Sequence, residues 1–468
     1  MHKYNHSILI IGDDMIIDKD NIKILLFILI LGLGIGYAYI NSDLNINGTA
    51  QVNSANWDVH WANIQVTNGS VSGTNVVTAP TISNSTTVNY SVVLNTPGDY
   101  YEFTVDAVNG GSIDAMIDTI DSKLNGATIT VLPDYLNYTV TYSDGVELEQ
   151  NHQLLHNTTE KYKVRIEYRT DIEVNQLPAT NQTLSLQFTV TYRQATADAV
   201  AVDHSFNGHS WETIIANVKA GNTENYNVGD TKTITVGAHT NDCASYSGSG
   251  SSYVCNSSVI GEQELTVRIA NKSTPDECAT TGFSQSACGF VIEFVDIIDK
   301  HNYNSADASN TNGTNVGGWP ASELYTYINT TIYNALPSEV KAGIINTTTV
   351  SGHGSTSGES NFTSTDKLYL LSAHEVWQDV DGNTNSGIDY YDTAYNNTRQ
   401  LDYYSSQNVT TSNYSGAIKQ YNGSNSWWWL RSAHSYTSNN FYTVSYTGRW
   451  AGNSSTDAFG VSPAFRIG

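Results

Sequence analysis

Apolar and polar residues alternate along the first half of the chain. In residues 162–168 and 184–192 every second side chain is apolar, which predicts half-buried strands. Turn-forming segments such as Thr-Pro-Gly-Asp at residues 96–99 separate runs of this kind. We therefore expect residues 47–195 to form an all-β sandwich that serves as a stalk.

The pattern changes after the short run of small residues at 195–203, where we place a domain boundary. Residues 210–221 have a helical pattern, with Ser210 as the N-cap and Gly221 as the stop. A second helix is predicted from Trp319-Pro320, because apolar residues then recur four apart at Leu324, Ile328 and Ile332.

Strands are predicted between and after these helices, at residues 265–269, 290–295 and 367–371. Helices mixed with scattered strands and long polar loops indicate an α+β domain over residues 205–468. The sequence thus predicts a multidomain protein, with an all-β sandwich followed by an α+β domain.

An apolar segment near the N-terminus indicates export. No residue between Ile24 and Ile40 is charged, and Lys19 and Lys23 precede the segment. Its length is near the lower limit for a membrane span and slightly above that of a signal-peptide core. Residues 1–21 are then a short tail, and residues 22–41 are a transmembrane anchor or a signal segment. A buried core element is the third interpretation.

The composition agrees with an exported, β-rich protein. Of the 468 residues, 45 are acidic and 21 are basic, so the net charge is −24. Such a chain lacks the clustered Lys and Arg that bind phosphate backbones, and we expect no nucleic-acid partner. Asn, Ser, Thr, Gly and 30 Tyr take the place of charged residues.

Four cysteines, Cys243, Cys255, Cys278 and Cys288, lie within one stretch of the second half. Their even number in an exported chain favours disulfides, and three pairings are open. Pairing neighbours, Cys243 with Cys255 and Cys278 with Cys288, would close two short polar loops. Zinc is the rival interpretation, but the chain has no Cys-x-x-Cys spacing.

The chain has no recognisable catalytic motif. A Gly-x-Ser-x-Gly elbow, a phosphate loop and a His-Glu-x-x-His motif are all absent from the sequence, so we expect no enzyme and no catalytic residue. One calcium-like run occurs at residues 379–389, where Asp and Asn recur at alternating positions. Its sixth position is Thr384 instead of Gly, so calcium is only an alternative to a metal-free polar loop, and we expect no other cofactor.

The C-terminal region combines strand-like ends with a polar, aromatic middle. Apolar segments at residues 427–432 and 460–468 bracket residues 433–457, which are small, polar or aromatic. Tyr436, Tyr442 and Tyr446 would offer stiff contact area with a polar tip, as tyrosines do in antibody binding sites. An ordinary Tyr-rich β-surface is the alternative.

Several motifs resemble a bacterial extracytoplasmic domain family of unassigned function. They are Ser-Trp-Glu-Thr-Ile at 210–214, Tyr-Asn-Val-Gly-Asp at 226–230, Leu-Tyr-Leu-Leu-Ser at 368–372, Trp-Trp-Leu-Arg-Ser at 428–432 and Gly-Val-Ser-Pro-Ala-Phe at 460–465. The resemblance covers residues 205–468 and implies a C-type lectin-like fold of the formylglycine-generating-enzyme type. The N-terminal half resembles Gram-positive surface proteins with atypical signal peptides.

Some domains of this kind resemble the variable proteins of diversity-generating retroelements, whose C-terminal codons are rewritten at adenines. An AAC codon then becomes any NNC codon, which never encodes Lys, Glu, Gln, Met or Trp. Residues 433–457 contain no Lys, Glu, Gln or Met, and Trp450 would be a fixed position. The resemblance implies a variable region at 427–468, with these ligand-binding positions: His434, Tyr436, Thr437, Tyr442, Ser445, Tyr446, Arg449, Ala451, Asn453 and Ser454. Phe441, Val444, Gly448 and Trp450 would be scaffold.

The leading hypothesis is a surface-displayed receptor or adhesin, secreted or held in the membrane by its N-terminal segment. Its partner would be an unknown protein or glycan on another cell, virus or host surface. The three tyrosines would stack on the ligand, Arg449 would supply charge, and Ser445 and Asn453 would hydrogen-bond. The alternatives are a calcium-dependent lectin, an oxidase with reactive cysteines and a structural surface protein.

Overall fold

The computed structural model describes residues 9–10, 16–17, 23, 55–180, 182–249, 252–305, 314–355, 359–380 and 392–468. The chain divides into two compact units, Met1–Ala55 and Asn56–Gly468. In the first unit, β1 (Leu9–Ile10) pairs antiparallel with β2 (Ile16–Ile17). Apart from Lys23, the predicted apolar segment 22–41 lies outside the described residues, and so does most of the tail 1–21. Within the described ranges no helix is long and apolar enough to cross a membrane.

The N-terminal part of the second unit is all β. Its strands are β3 (Val59–Val66), β4 (Val76–Asn84), β5 (Thr87–Val92), β6 (Tyr100–Asn109), β7 (Ala115–Leu124), β8 (Ala127–Thr128), β9 (Leu136–Tyr142), β10 (Gln153–Leu154), β11 (Thr158–Tyr168) and β12 (Leu184–Gln194). One sheet has the order β10–β7–β12–β5–β4, with β8 on β7, and the other has the order β3–β6–β11–β9. The strands of both sheets pair antiparallel.

The inner faces of these two sheets share one hydrophobic core, as in a β-sandwich. The predicted alternation is confirmed in β11, where Tyr162, Val164 and Ile166 are buried and the residues between them are partly exposed. Trp61 lies between the sheets, with its ring centroid 5.1 Å from those of Tyr162 and Phe188. Aromatic pairs of this kind add about 0.5–1.5 kcal/mol beyond area burial.

The C-terminal part of the unit mixes short helices with strands. The helices are α1 (Trp211–Ala220), α2 (Glu323–Tyr327), α3 (Tyr333–Ala335), α4 (Ser338–Lys341), α5 (Ala373–Val376) and α6 (Asp402–Ser406). The strands are β13 (Thr231–Val236), β14 (His239–Ser247), β15 (Val254–Ile260), β16 (Gln263–Asn271), β17 (Val291–Phe294), β18 (Asp299–Asn302), β19 (Thr347–Ser351), β20 (Phe362–Asp366), β21 (Lys419–Tyr421), β22 (Ser424–Ser426), β23 (Trp428–Ala433), β24 (Asn440–Val444), β25 (Trp450–Ser454), β26 (Ala458–Val461) and β27 (Ala464–Arg466).

The structure agrees with the bounds of the first predicted helix and differs from those of the second. Helix α1 begins and ends as predicted: the Ser210 side chain accepts a hydrogen bond from the Thr213 N–H, and Gly221 takes the left-handed conformation at φ 78°. The second helix starts later than predicted, because Trp319–Ala321 form a 3-10 turn and Ser322 is the N-cap of α2. A π-helical turn, Ile328–Ile332, joins α2 to α3.

The predicted strand at residues 367–371 is wrong, although its apolar side chains are buried. Tyr369 forms a single bridge with Ala464, and the Leu371 carbonyl oxygen accepts a hydrogen bond from the Arg431 N–H. The Asn329 side-chain oxygen accepts hydrogen bonds from the Lys367 and Leu368 N–H groups. An apolar run can therefore be buried without pairing as a strand. The predicted strands at 265–269 and 290–295 lie in β16 and β17.

Two main sheets organise the C-terminal part. One has the order β13–β16–β17–β27, and the other has the order β18–β26–β23–β24–β25. Two hydrophobic cores drawn from residues 206–467 pack around these sheets, and they share no residue with the sandwich core. The predicted boundary at 195–203 thus falls between separate cores within one compact unit.

Both disulfides join neighbouring cysteines. Cys243 pairs with Cys255 across the β14–β15 hairpin, and Cys278 pairs with Cys288. The described residues contain no free cysteine. Each bond closes a short loop, and the structure thus selects one of the three pairings that the sequence left open.

Candidate ligand-binding surface

Strand β23 lies at the start of the predicted variable region and is the middle strand of the five-stranded sheet, and all six of its residues are buried. Trp428 and Trp429 point to opposite faces of the sheet and enter different cores. Their indole N–H groups donate to the carbonyl oxygens of Ala417 and His301, at 3.1 and 2.9 Å. The Trp-Trp pair of the motif is therefore a structural element.

Arg431 on the same strand forms a fully buried ion pair with Glu375. Two guanidinium nitrogens lie 2.6 Å from the two carboxylate oxygens, which is a bidentate arrangement. The guanidinium also donates to the carbonyl oxygens of Val350 and Leu370 and to the Ser286 hydroxyl. The Arg431 side chain thus ties β23 to α5, to β19 and to the 368–371 segment.

The opposing charge determines the ionisation of Glu375. Burial by itself would raise the pKa of this carboxyl, but Arg431 and the hydrogen bonds hold the pKa below its ordinary value. Glu375 also accepts from the Ser372 N–H, which completes a capping box at the start of α5. This role was not predicted from the sequence, although the Ser-x-x-Glu spacing at 372–375 is typical of a capping box.

Strands β24 and β25 form the hairpin that carries most of the predicted ligand-binding residues. Asn440 lies opposite Ser454, and Val444 lies opposite Trp450. The connecting turn is tight, because the Gly448 N–H donates to the Ser445 carbonyl oxygen and Gly448 takes a left-handed φ of +88°. A side chain at position 448 would also collide with the Tyr414 carbonyl oxygen.

Seven of the ten predicted ligand-binding residues reach the surface. Tyr436, Tyr446 and Arg449 are exposed, with Tyr436 at 64% and Tyr446 at 54%. Partial exposure is shared by Thr437, Ala451, Asn453 and Ser454. A ligand can contact these seven side chains without disturbing the cores.

The other three predicted positions are buried: His434, Tyr442 and Ser445. Tyr442 has no exposed surface and packs in a core, with its ring centroid 5.2 Å from that of His434. The Ser445 hydroxyl accepts hydrogen bonds from the N–H groups of Thr447 and Arg449 and so shapes the turn. Both faces of β24 are covered, so alternation along this strand supplies no exposed face.

The exposed tyrosines do not converge on one site. Tyr436 follows β23 and Tyr446 follows β24, so they lie at opposite ends of β24, a five-residue strand about 17 Å long. Tyr446 lies beside Trp427, at 6.1 Å between ring centroids. The region therefore has two separate edges.

We call the edge at Tyr436 the rim and define it by five residues: Tyr246, Tyr436, Thr437, Ser454 and Asp457. The Tyr246 hydroxyl donates to an Asp457 carboxylate oxygen at 3.0 Å, a bond that raises the pKa of Tyr246. The Tyr246 ring stacks on the Tyr253 ring, with 4.9 Å between the ring centroids. The Tyr253 hydroxyl donates to the Thr456 carbonyl oxygen.

Buried bonds hold the backbone of the rim. The Asn315 amide nitrogen lies 2.8–3.0 Å from the carbonyl oxygens of His434, Thr437 and Asn440. The Ser455 N–H donates to the Asn439 carbonyl oxygen, which joins the two loops. The disulfide between Cys243 and Cys255 closes the hairpin that presents Tyr246. The rim thus has exposed side chains on a fixed backbone.

The predicted calcium-like run at 379–389 lies mainly outside the described residues. Asp379 is described, and its carboxylate accepts hydrogen bonds from the Thr411 N–H and hydroxyl, at 2.7 and 2.6 Å. These bonds engage both carboxylate oxygens of Asp379 within the protein.

We expect Tyr442→Ala and Tyr446→Ala to behave oppositely. Tyr442→Ala removes a core ring and should lower the free energy of unfolding by about 3–5 kcal/mol. Tyr446→Ala acts on an exposed ring and should change it by less than about 0.5 kcal/mol. Urea denaturation measures both values, and equal effects would refute the assignment of Tyr442 to the core.

Breaking the Arg431–Glu375 pair should be strongly destabilising. Glu375→Gln leaves the guanidinium charge buried without its counter-ion and should cost about 3–5 kcal/mol at pH 7. The folded-state pKa of Glu375 lies below its unfolded value of about 4.3, so the pair stabilises above that pH. This contribution is lost as the pH falls through the folded-state pKa.

Denaturation at pH 7 and pH 3.5 tests this prediction, with Glu339→Gln as the control at an exposed site. The free energy of unfolding should differ less between wild type and Glu375→Gln at pH 3.5 than at pH 7. A cost below about 1 kcal/mol at pH 7 would contradict a structural role for the pair.

The C-terminal part of the chain is similar to one known family. Residues 295–468 match a family described as a domain of unknown function, DUF6273. The matched range contains both partners of the buried ion pair and the whole five-stranded sheet. No curated protein and no solved structure matches the chain.

Proposed function

We propose that the protein is a ligand-binding receptor or adhesin displayed outside the cell, with the rim as its contact surface. The observation that carries the proposal is the distribution of tyrosine. Of the tyrosines in the described ranges, the three exposed ones are Tyr246, Tyr436 and Tyr446. Tyr436 and Tyr446 flank β24, and the Tyr246 hydroxyl donates to Asp457, just before β26. Two of the three belong to the rim.

Rigid backbone and exposed tyrosine together suit protein or glycan recognition. Tyrosine offers a large contact area and loses little side-chain entropy on binding. The rim backbone is already held by Asn315 and by the disulfide hairpin, so binding does not have to order it. Thr437 and Ser454 add neutral hydrogen-bonding groups beside the rings.

The remaining features support an extracellular setting. Disulfides persist in oxidising compartments, and both disulfides join buried or half-buried cysteines in the C-terminal part. The net charge of −24 disfavours nucleic acid as the ligand. The proposal also includes a C-type lectin-like fold and a retroelement origin of the variable region. Both are supported by the resemblance of the motifs at 428–432 and 460–465.

The proposal is tested by measuring the binding of the full chain to arrays of glycans and of extracellular proteins. For the strongest hit, Tyr436→Ala should weaken binding by about 30-fold, because a central aromatic contact is worth about 2 kcal/mol. Tyr446→Ala, at the opposite end of β24, is the matched control and should stay within about threefold. A hit that loses affinity only with Tyr446→Ala would move the site to the other edge, and no hit at all would favour a structural role.

The DNA beside the gene tests the diversification hypothesis independently. We expect a near-copy of the codons for residues 427–468 next to a reverse transcriptase gene. Differences at template adenines should fall on the seven exposed or half-buried positions. They should spare the codons of His434, Tyr442 and Ser445, because changes there would damage a core or a turn. Differences concentrated at those three codons would contradict the proposed surface.

A further inference from the structure

Three side chains converge where the sandwich meets the C-terminal part. Asp144 lies just after β9 of the sandwich, and His204 and His209 lie just before α1. One Asp144 carboxylate oxygen, Oδ2, is 2.6 Å from His204 Nδ1 and 3.1 Å from His209 Nε2. All three ligand-type atoms lie within 4.8 Å of one another. We call this group the junction cluster.

The two imidazole rings are oriented as in metal sites. A histidine that binds a metal through one nitrogen generally directs its other nitrogen at a carboxylate, a carbonyl or water. His204 Nε2 faces the Glu160 carboxylate at 3.7 Å, and His209 Nδ1 lies 2.5 Å from the Tyr226 hydroxyl. His204 Nε2 is buried and makes no hydrogen bond at the present distance.

Asp144 is also held by a hydrogen bond through the oxygen that does not face the histidines. Its other oxygen, Oδ1, accepts a hydrogen bond from the Val146 N–H, which leaves Oδ2 directed at both histidines. The His209 side chain is 1% exposed, Asp144 is 18% and His204 is 29% exposed. The cluster is therefore largely buried but open on the His204 side.

The spacing fits a small transition-metal ion. In a tetrahedral zinc site with bonds of 2.0–2.1 Å, ligand atoms are about 3.3 Å apart. His204 Nδ1 would have to move from Asp144 Oδ2 by about 0.7 Å, and His209 Nε2 already lies near the required separation. Two imidazoles and one carboxylate are a donor set that zinc commonly takes.

We propose that Asp144, His204 and His209 bind one Zn²⁺ ion that fixes the sandwich to the C-terminal part. The ion replaces the protons that now lie between the carboxylate and the two rings, and water takes the fourth position. Asp144 belongs to the sandwich, whereas both histidines lead into α1, so the ion would join segments about 60 residues apart. The Thr213 hydroxyl and the Asn217 side chain on α1 already donate to the carbonyl oxygens of Gly145 and Asp144.

Metal titration of the full chain tests the proposal. After dialysis against EDTA, calorimetry with ZnCl₂ should show one equivalent bound, and Co²⁺ should give the visible absorption of a four-coordinate site. His204→Ala and Asp144→Asn should each weaken Zn²⁺ binding by at least about tenfold, the lower end of the loss for an outer-shell change.

His156→Ala is the matched control. His156 forms a similar pair with Asp114, at 2.7 Å between Nδ1 and Oδ1, but the pair is more exposed, and no third metal-ligating side chain among the described residues joins it. This variant should bind Zn²⁺ as the wild type does. If a junction variant fails to fold, the Co²⁺ spectrum of the wild type still decides.

Two results would overturn the proposal. The first is the absence of stoichiometric Zn²⁺ uptake and of a four-coordinate Co²⁺ spectrum in the wild type. The second is uptake that folded His204→Ala and Asp144→Asn variants retain unchanged. In either case the junction cluster would be a hydrogen-bonded contact only.

Discussion

The buried pair of Arg431 and Glu375 is the constraint on which the C-terminal part of the structure depends. It joins β23 to α5, to β19 through the Val350 carbonyl oxygen, and to the 368–371 segment through Leu370. Removing two charges from water is costly, so such a pair persists only where every partner is in place. A second buried ionic group lies on β17. The Glu293 carboxylate oxygens are 2.8 Å from Arg268 Nε and from Lys419 Nζ, and this group likewise depends on all of its partners.

This arrangement separates the residues that fix the fold from those that meet solvent. Trp428, Trp429, Arg431 and Tyr442 lie inside, although they are close in sequence to the exposed Tyr436 and Tyr446. Sequence change in the interior would disturb packing or leave a buried charge unpaired, whereas change on the rim alters only surface chemistry. We therefore place the proposed ligand surface on exposed loops that are attached to a buried strand.

Sequence periodicity predicted the elements whose burial is one-sided. Strands β11 and β12 and helix α1, with its Ser210 and Gly221 caps, agree with the expectations because one face of each is polar. Alternation carries no information where both faces are buried, as at Tyr442 and in the 367–371 segment, which is not the strand that the sequence predicts. The junction cluster was also missed, since Asp144 and His204 meet only through the fold, and an isolated His in a sequence indicates nothing.

Native-state amide hydrogen exchange across residues 427–468 tests most directly whether a fixed interior carries an accessible rim. Amides of β23 and β24 should exchange only through global unfolding, because their strands are buried on both faces. Amides at residues 435–438 and 446–447 should exchange faster by several orders of magnitude. Fast exchange throughout β23, or equal protection of strands and loops, would contradict the central claim.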